Sequence, residues 1–174
     1  MKSVRPVRVR GVLAALVLGA TVVAACGGNS PSSSTEAGGT TADADWGGRV
    51  LYIEDNPVNQ MVMEQLMARC PTVALTCVDT GAAGLQAVAE QAPDLVLLDM
   101  QLPDMSGLEW LQRQAPAIAE GRLRVIAVSA SAMSGDVAAA RTAGAVDYWT
   151  KPLRLDQVVH DLASWLREPP APAH

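Results

Sequence analysis

Short runs of aliphatic residues alternate with amphipathic stretches from residue 48 to about residue 168. Each run is only a few residues long, which is typical of buried strands in a parallel sheet. Between the runs, apolar residues recur every three or four positions, which indicates helices packed on that sheet. The predicted strands cover residues 49–53, 73–78, 94–98, 124–128 and 146–149, and the predicted helices cover 57 to about 69, 81 onward, 107 to about 114, 134 to about 142, and 155–166.

The first predicted helix has a clear start signal. Asn56 is a favourable N-cap residue, and Pro57 suits the first helical position. Apolar spacing extends the helix to about Arg69. The residues at this spacing are Val58, Met61, Val62, Gln65 and Leu66.

Strict alternation of strand and helix, repeated five times, decides the predicted fold class. It favours a doubly wound α/β fold, with helices on both faces of a parallel sheet. We expect the strand order 2-1-3-4-5, in which the first and third strands are neighbours. The sequence contains no internal repeat, Walker loop or dinucleotide-binding fingerprint.

Polar residues gather at the carboxyl ends of the predicted strands. Parallel sheets place their functional groups at this edge, so these side chains are expected to lie close together. The residues at the ends of strands 1, 3, 4 and 5 are Glu54, Asp55, Asp99, Ser129 and Lys151.

These residue types suit phosphoryl chemistry. Three crowded carboxylates repel one another and raise one another's pKa values, a conflict that a divalent cation relieves. Oxygen ligands of this kind favour Mg²⁺. A carboxylate beside the metal can act as a nucleophile towards a phosphoryl group, while the hydroxyl of Ser129 and the ammonium of Lys151 bind its oxygens. The sequence therefore predicts a magnesium-dependent site that accepts a phosphoryl group.

Four segments in this arrangement resemble the receiver domains of two-component response regulators. The match spans about residues 49–166, and the Glu-Asp-Asn-Pro-Val-Asn segment is similar to receivers attached to hybrid histidine kinases. The resemblance implies a flavodoxin-like fold and a single-domain receiver, phosphorylated by a histidine kinase or a histidine phosphotransfer protein. The downstream partner is unknown, and a phosphorylation-dependent dimer is left open. The segments are Val50–Pro57, Leu97–Gly107, Val128–Ala130 and Gly144–Pro152.

The resemblance also implies which residues hold the phosphoryl group and the metal. Asp99 would be the phosphoryl acceptor. Asp55, Asp99 and the backbone carbonyl of Gln101 would bind Mg²⁺, and Glu54 would act through a coordinated water. The chain would then be a phosphoacceptor that assists its own phosphorylation and dephosphorylation, not an enzyme.

A switch is implied in the same way. Ser129 would close onto the phosphoryl oxygens, Lys151 would pair with them, and Tyr148 would rotate into the vacated space. This would repack the face formed by the fourth helix, the fifth strand and the fifth helix. Gln101 and Ser131 would tune the hydrolysis rate of the acyl phosphate, and the Lys151–Pro152 bond is expected to be cis.

A basic and then apolar segment opens the chain and resembles a bacterial lipoprotein signal. Its apolar run, over residues 12–25, is shorter than the ~20 residues of a membrane-spanning helix. Small residues lead to Cys26, the residue that lipidation would modify. The predicted divisions are a signal segment over 1–26, a flexible linker over 27–46, a receiver domain over 47–168 and a disordered tail over 169–174.

The leader and the domain predict different compartments. The leader would place the domain outside the membrane, with the lipid at Cys26 as its membrane contact. Receiver chemistry instead favours the cytoplasm, which would require a fortuitous leader and a start near residues 44–50. The sequence leaves the localisation open. Cys70 and Cys77 could form a disulfide in the first case and would be free thiols in the second, and their spacing does not decide between the two.

Composition and single residues bear on the rival functions. The net charge of −5, with no basic cluster after the leader, argues against direct nucleic-acid binding. A phosphatase of the haloacid dehalogenase class needs a second acid two residues after its aspartate, where this chain has Gln101. A flavin-mononucleotide binder needs a hydroxyl-rich loop where the acidic segment 54–57 lies. A lipid-anchored interaction module that is never phosphorylated is the remaining alternative.

Overall fold

The structure, a computed structural model, describes residues 46–167, in which five strands and five helices alternate. The strands are β1 (Gly48–Ile53), β2 (Val73–Val78), β3 (Leu95–Asp99), β4 (Val125–Ser129) and β5 (Asp147–Thr150). The helices are α1 (Pro57–Met67), α2 (Gly81–Gln91), α3 (Gly107–Ala119), α4 (Ser134–Thr142) and α5 (Leu155–Arg167).

The five strands form one parallel sheet in the order β2-β1-β3-β4-β5, which confirms the predicted fold class and strand order. The order reverses between β1 and β3, because the chain winds first to one side of β1 and then to the other. A crevice opens at such a reversal, outside the carboxyl ends of the strands. The acidic residues that follow β1 and end β3 therefore share one crevice.

Two apolar layers cover the sheet, one on each face. The first packs α1 and α5 against Val50, Tyr52, Leu95 and Leu97. The second packs α2, α3 and α4 against the alternate residues of the same strands, as expected where successive side chains point to opposite faces. β3 and β4 are buried along their whole length, which explains their continuous aliphatic sequences.

Two of the predicted site residues lie inside strands rather than after them. The predicted third and fourth strands stopped at residues 98 and 128, but β3 and β4 each continue for one more residue. Asp99 is aligned with Val128 in the ladder, and Ser129 is aligned with Thr150. The ladder therefore fixes the backbone of both residues and holds them in the buried part of the sheet edge.

Helix α1 begins as predicted, but its buried face includes only Leu66 of the predicted stripe. Asn56 caps the helix by accepting a hydrogen bond from the Val58 backbone N–H at 2.9 Å. The core contacts come from Met63, Leu66, Met67 and the following Cys70. The helix has apolar residues of its own on all sides, so their spacing does not identify the face that is buried. Of the predicted stripe, Val58, Met61 and Val62 are exposed.

Helix α3 runs five residues past its predicted end near residue 114, and it contains Pro116. Proline removes one backbone donor and is therefore unfavourable inside a helix. Packing outweighs that loss, since Ala117 and Ile118 contact the second apolar layer. The carbonyl of Ala117 also accepts hydrogen bonds from the backbone N–H groups of residues 122 and 123.

The predicted signal segment with Cys26, the linker up to residue 45 and the whole of the tail lie outside the described residues. Trp46, assigned above to the linker, is buried in the first apolar layer with α5. Within residues 46–167, every helix is too short or too polar to cross a bilayer. Cys70 and Cys77 are free, and burial raises the pKa of both thiols, that of Cys77 to about 12.

Asp104, in the loop after β3, caps helix α2 from another part of the chain. Its carboxylate accepts hydrogen bonds from the backbone N–H groups of Gly81 and Ala82, both at 2.8 Å. Thr80 accepts from the third N–H of the helix, that of Ala83. Burial opposes ionisation of Asp104, but these backbone donors outweigh it and hold the pKa of Asp104 below its ordinary value. The loop is thereby fixed to α2.

Replacing Asp104 with alanine should lower the free energy of unfolding by about 1 kcal/mol at pH 7, the usual effect of losing a helix cap. Because the folded-state pKa is depressed, this stabilisation is present above the unfolded-state pKa of about 3.9 and is lost as the pH falls through the folded-state value. Urea denaturation of Asp104→Ala at several pH values measures it. Asp79→Ala, an exposed strand-end aspartate, is the control, and equal losses in the two variants would contradict the capping role.

Candidate functional site

A polar pocket of about 390 Å³ lies at the carboxyl ends of β1 and β3. Its walls come from the start of α1, from the loop after β3 and from the residue after β5. Five of the predicted site residues line this pocket, and four of them are acidic or basic. The pocket is lined by Glu54, Asp55, Asn56, Asn59, Asp99, Gln101, Leu102, Pro103, Ala130 and Lys151.

Three carboxylates meet in this pocket. Glu54, Asp55 and Asp99 each place an oxygen within 4.8 Å of the others. Glu54 and Asp99 are buried, whereas Asp55 is exposed. With Lys151 the group carries two net negative charges, which one divalent cation would neutralise. The donor set, all oxygen and partly open to solvent, fits a hard cation such as Mg²⁺.

Lys151 bridges the two buried carboxylates. Its Nζ lies 2.7 Å from Glu54 Oε2 and 2.7 Å from Asp99 Oδ2. The backbone holds Lys151 in place, because its N–H donates to the carbonyl of Ser129 at 2.8 Å. The Lys151–Pro152 peptide is cis, as the resemblance implied.

Glu54 is completely buried and has more partners than the sequence indicated. The hydroxyl of Tyr52 donates to Oε2 at 2.7 Å, and the amide of Asn59 donates to Oε1 at 2.9 Å. Gln60 donates to the backbone carbonyl of Glu54. Sequence reasoning missed these three residues. In the sequence, Tyr52 looks like one more apolar strand residue. A tyrosine two positions before a strand-end acid nevertheless lies on the same face of the sheet as that acid, and this spacing could have predicted the hydrogen bond.

Asp99 is held by a tight loop. The backbone N–H of Gln101 donates to Asp99 Oδ1 at 2.9 Å. The loop closes where the Gly107 N–H donates to the carbonyl of Met100 at 3.0 Å. A Cβ at Gly107 would lie 2.7 Å from the Met100 Cα, so this position requires glycine. One oxygen of Asp99 thus faces Lys151 and the other is fixed by the loop.

The same contacts set opposite pKa shifts on the two buried acids. Burial opposes ionisation of Glu54, but hydrogen bonds from Lys151, Asn59 and Tyr52 outweigh it and lower the pKa of Glu54. Burial, together with the charge of Glu54, outweighs the hydrogen bonds to Asp99 and raises the pKa of Asp99. The Asp99 carboxylate is therefore the less stabilised of the two, which suits a nucleophile.

The basic and phenolic partners stay protonated. Burial acts to lower the pKa of Lys151, but the carboxylates of Asp99 and Glu54 raise it above its ordinary value. Burial and the adjacent Glu54 raise the pKa of Tyr52, so its hydroxyl remains a donor.

Ser129 and Tyr148 do not line the pocket, although Ser129 directly precedes Ala130, which does. Ser129 is buried at the end of β4, and its Oγ accepts a hydrogen bond from the Ser131 N–H at 3.1 Å. Tyr148, half-buried on β5, donates to the Ser131 carbonyl at 2.7 Å. The Ser131 hydroxyl is bonded to Asp136 of α4 at 2.6 Å. A chain of contacts therefore leads from the sheet edge to α4.

An acidic pocket around a buried aspartate, at the point where the strand order reverses, places this chain among the doubly wound α/β proteins whose functional groups lie at that edge of the sheet. Residues 50–163 match the family described as the response regulator receiver domain. The chain belongs to this family.

Relatives include sensor kinases and a response regulator. Over 120 residues the chain is 33% identical to the sensor histidine kinase GacS of Pseudomonas protegens, covering 67% of this chain and 13% of GacS. It is 32% identical to the polar-differentiation response regulator DivK of Brucella ovis, covering 67% of this chain and 94% of DivK. The chain thus spans only a small part of GacS but almost all of DivK.

Solved structures of receiver domains are also similar to this chain. The receiver domain of the sensor histidine kinase PA1611 from Pseudomonas aeruginosa PAO1 is 30% identical, with a TM-score of 0.62 over 70% of this chain and 99% of that chain. It has a magnesium ion coordinated in its active-site cleft. The signal receiver domain of a LuxO repressor protein from Vibrio parahaemolyticus is 27% identical, with a TM-score of 0.64 over 69% of this chain and 90% of that chain.

Replacing Lys151 with methionine should lower the free energy of unfolding by about 2 kcal/mol at pH 7 without added metal. The cost is below that of breaking a fully buried ion pair because 20% of the lysine side chain is exposed. Without the Lys151 ammonium, the buried carboxylates of Glu54 and Asp99 are destabilising only while they are charged, and acid protonates them. The difference in unfolding free energy from the unmodified chain should therefore shrink in acid.

Urea denaturation at pH 7 and about pH 4, near the ordinary carboxyl pKa values, measures this change. Lys151→Arg, which keeps the positive charge, is the matched control and should lose less. A loss that is equal at both pH values would show that the lysine stabilises the fold by packing alone.

Proposed function

We propose that the chain is a receiver that accepts a phosphoryl group on Asp99 from a phosphohistidine and passes the signal to a protein partner. The observation that carries the proposal is the placement of Asp99. Its carboxylate is buried at the end of β3, fixed by the Gln101 N–H, paired with Lys151 and adjacent to two further acids. In the reaction, an Asp99 oxygen would bond to phosphorus as the bond from phosphorus to the imidazole nitrogen breaks.

Mg²⁺ is the cofactor that this proposal requires. Asp55 and Asp99 would bind it, with the backbone carbonyl of Gln101, and Glu54 would act through a bound water. When present, the ion would neutralise the charge of the acidic cluster and of the incoming phosphoryl group. The partly open pocket and the exposed Asp55 support this assignment.

The residues around the pocket would then report the new charge. A phosphoryl group on Asp99 offers acceptors for the Lys151 ammonium and the Ser129 hydroxyl. Movement of Ser129 would disturb the Ser131 backbone, which also accepts the hydrogen bond from Tyr148. Since Ser131 is bonded to Asp136 of α4, a change at Asp99 would reach the face formed by α4, β5 and α5.

The exposed apolar residues of α1 are the proposed contact for the phosphodonor protein. Val58, Met61 and Val62 have 61%, 53% and 41% of their surface exposed. They follow Asn56 and lie beside Asn59, both of which line the pocket. A protein that brings a phosphohistidine to Asp99 must pass this rim, and an apolar helix surface there suits a protein partner better than a small molecule.

Two rival functions are less well supported. A phosphatase of the haloacid dehalogenase class would need an acid where Gln101 stands, and this glutamine provides no proton-transferring group. An interaction module that is never phosphorylated would have no need for a complete acidic pocket with a paired lysine. The proposal concerns residues 46–167, the part of the chain that the structure describes.

Incubation of the purified chain with phosphoramidate and Mg²⁺ should produce one phosphoryl adduct, detected by intact mass. The adduct should be base-labile, as expected for an acyl phosphate. It should be absent in Asp99→Asn and greatly reduced without Mg²⁺, because the net negative charge of the three carboxylates and Lys151 repels an anionic donor. Asp79→Asn, at the end of β2, is the control and should react as the unmodified chain does. An adduct that persists in Asp99→Asn would overturn the assignment.

Replacing Met61 with glutamate should slow phosphotransfer from a phosphorylated histidine phosphotransfer protein by about tenfold, as expected for an apolar contact at an interface. The rate with phosphoramidate should be unchanged, since this small donor needs no docking surface. Met133→Glu, at a methionine that is 71% exposed beside α4, is the matched control. Equal slowing in both variants, or slowing with phosphoramidate, would argue against docking at α1.

A further inference from the structure

Tyr52 is a buried residue whose polar group points towards the pocket without lining it. Only 1% of its surface is exposed, and its ring packs in the first apolar layer. Tyr52 and Glu54 are two positions apart on β1, so their side chains leave the same face of the sheet. The hydroxyl donates to Glu54 Oε2 at 2.7 Å. Phenylalanine would supply the same packing, and the hydroxyl therefore calls for a separate explanation.

Hydrogen-bond accounting at Glu54 shows what the hydroxyl does. A carboxylate has about four acceptor sites, two on each oxygen. Tyr52 and Lys151 both donate to Oε2, while Asn59 donates to Oε1. Oε2 is therefore full, and the remaining acceptor site belongs to Oε1.

Lys151 contacts two buried acids at the same distance. Its Nζ is equally distant from Glu54 Oε2 and Asp99 Oδ2, at 2.7 Å. The hydrogen bond from Tyr52 stabilises the negative charge on Oε2 of Glu54. This oxygen therefore attracts the shared ammonium less strongly than it would without the hydroxyl, and Asp99 keeps its share of Lys151.

We propose that Tyr52 is a positioning residue: by filling one acceptor site of Glu54 Oε2, it keeps the Lys151 ammonium shared with Asp99 and available to a phosphoryl group. The idea rests on the proposed function for its consequence in phosphotransfer. Its consequence for metal binding is independent of phosphotransfer. Without the hydroxyl, the lysine would move towards Glu54, because a buried carboxylate oxygen is strongly disfavoured without its donors.

Tyr52→Phe should therefore change two properties in opposite directions. Asp99 would lose part of its lysine counter-charge, and the affinity for Mg²⁺ should rise by about threefold. The rate of adduct formation with phosphoramidate at saturating Mg²⁺ should fall by about tenfold, because Lys151 is drawn away from the phosphoryl oxygens. A variant with a merely loosened core would lose both properties together.

Isothermal titration calorimetry with MgCl₂ and intact-mass time courses with phosphoramidate give the two values on the full chain. Thr76→Val is the matched control, since it removes a hydroxyl of β2 that donates to Gln91 at 3.0 Å, away from the pocket. It should leave both values unchanged. In a Glu54→Gln background, Tyr52→Phe should change either value by less than about twofold if Tyr52 acts through the Glu54 charge.

A chain with 4-aminophenylalanine at position 52, which restores an N–H donor on a similar ring, should return both values towards those of the unmodified chain. If Tyr52→Phe does not fold, the chain with 4-aminophenylalanine is tested in its place. Its Mg²⁺ affinity and its rate of adduct formation should then be close to those of the unmodified chain, because it keeps a donor at position 52. Unchanged values in Tyr52→Phe, or a joint fall in both, would overturn the role of Tyr52. If the unmodified chain forms no adduct, the proposed function fails, and the Mg²⁺ affinities alone decide whether Tyr52 positions Lys151.

Discussion

The ammonium of Lys151, held between two buried carboxylates, is the interaction on which the rest of the site depends. A buried acid is tolerated only if its charge is matched, and Glu54 has none of its surface exposed. Lys151 supplies that charge from the loop after β5, while Glu54 follows β1 and Asp99 ends β3. Strand ends far apart in the sequence are thus joined at one point, and the acidic edge of the sheet can remain folded before any cation binds.

The parallel sheet makes this meeting possible. The ladder aligns Asp99 with Val128 and Ser129 with Thr150, so that successive strands deliver their last residues at nearly the same height. The pocket walls then need only short loops. The loop after β3 is fixed twice, by the glycine closure at Gly107 and by the bonds from Asp104 to α2. Its rigidity holds the Gln101 backbone against Asp99.

The fold and most of the pocket could be predicted because each rests on a local signal. Runs of aliphatic residues predict strands. An acid at the end of such a run is predicted to line the pocket, because the carboxyl ends of parallel strands lie at one edge of the sheet. The buried face of α1 could not be predicted, because apolar residues surround that helix and only contact with α5 and the sheet distinguishes Met63 from Met61. The capping by Asp104 joins residues more than twenty positions apart, which no local pattern encodes.

Tyr52 shows why the sequence did not predict the buried polar contacts of the site. Sequence patterns treat a strand residue as inside or outside, but a tyrosine can pack its ring in the core and still place its hydroxyl on a buried acid. The consequence is an asymmetric pair of carboxylates. Hydrogen bonds fill Oε2 of Glu54 and lower its pKa, whereas burial leaves Asp99 with a raised pKa and fewer donors. Two acids that share one lysine therefore differ in character: Glu54 has the lower pKa and is the better anchor for the Lys151 ammonium, and Asp99 has the higher pKa, which suits the nucleophile proposed above.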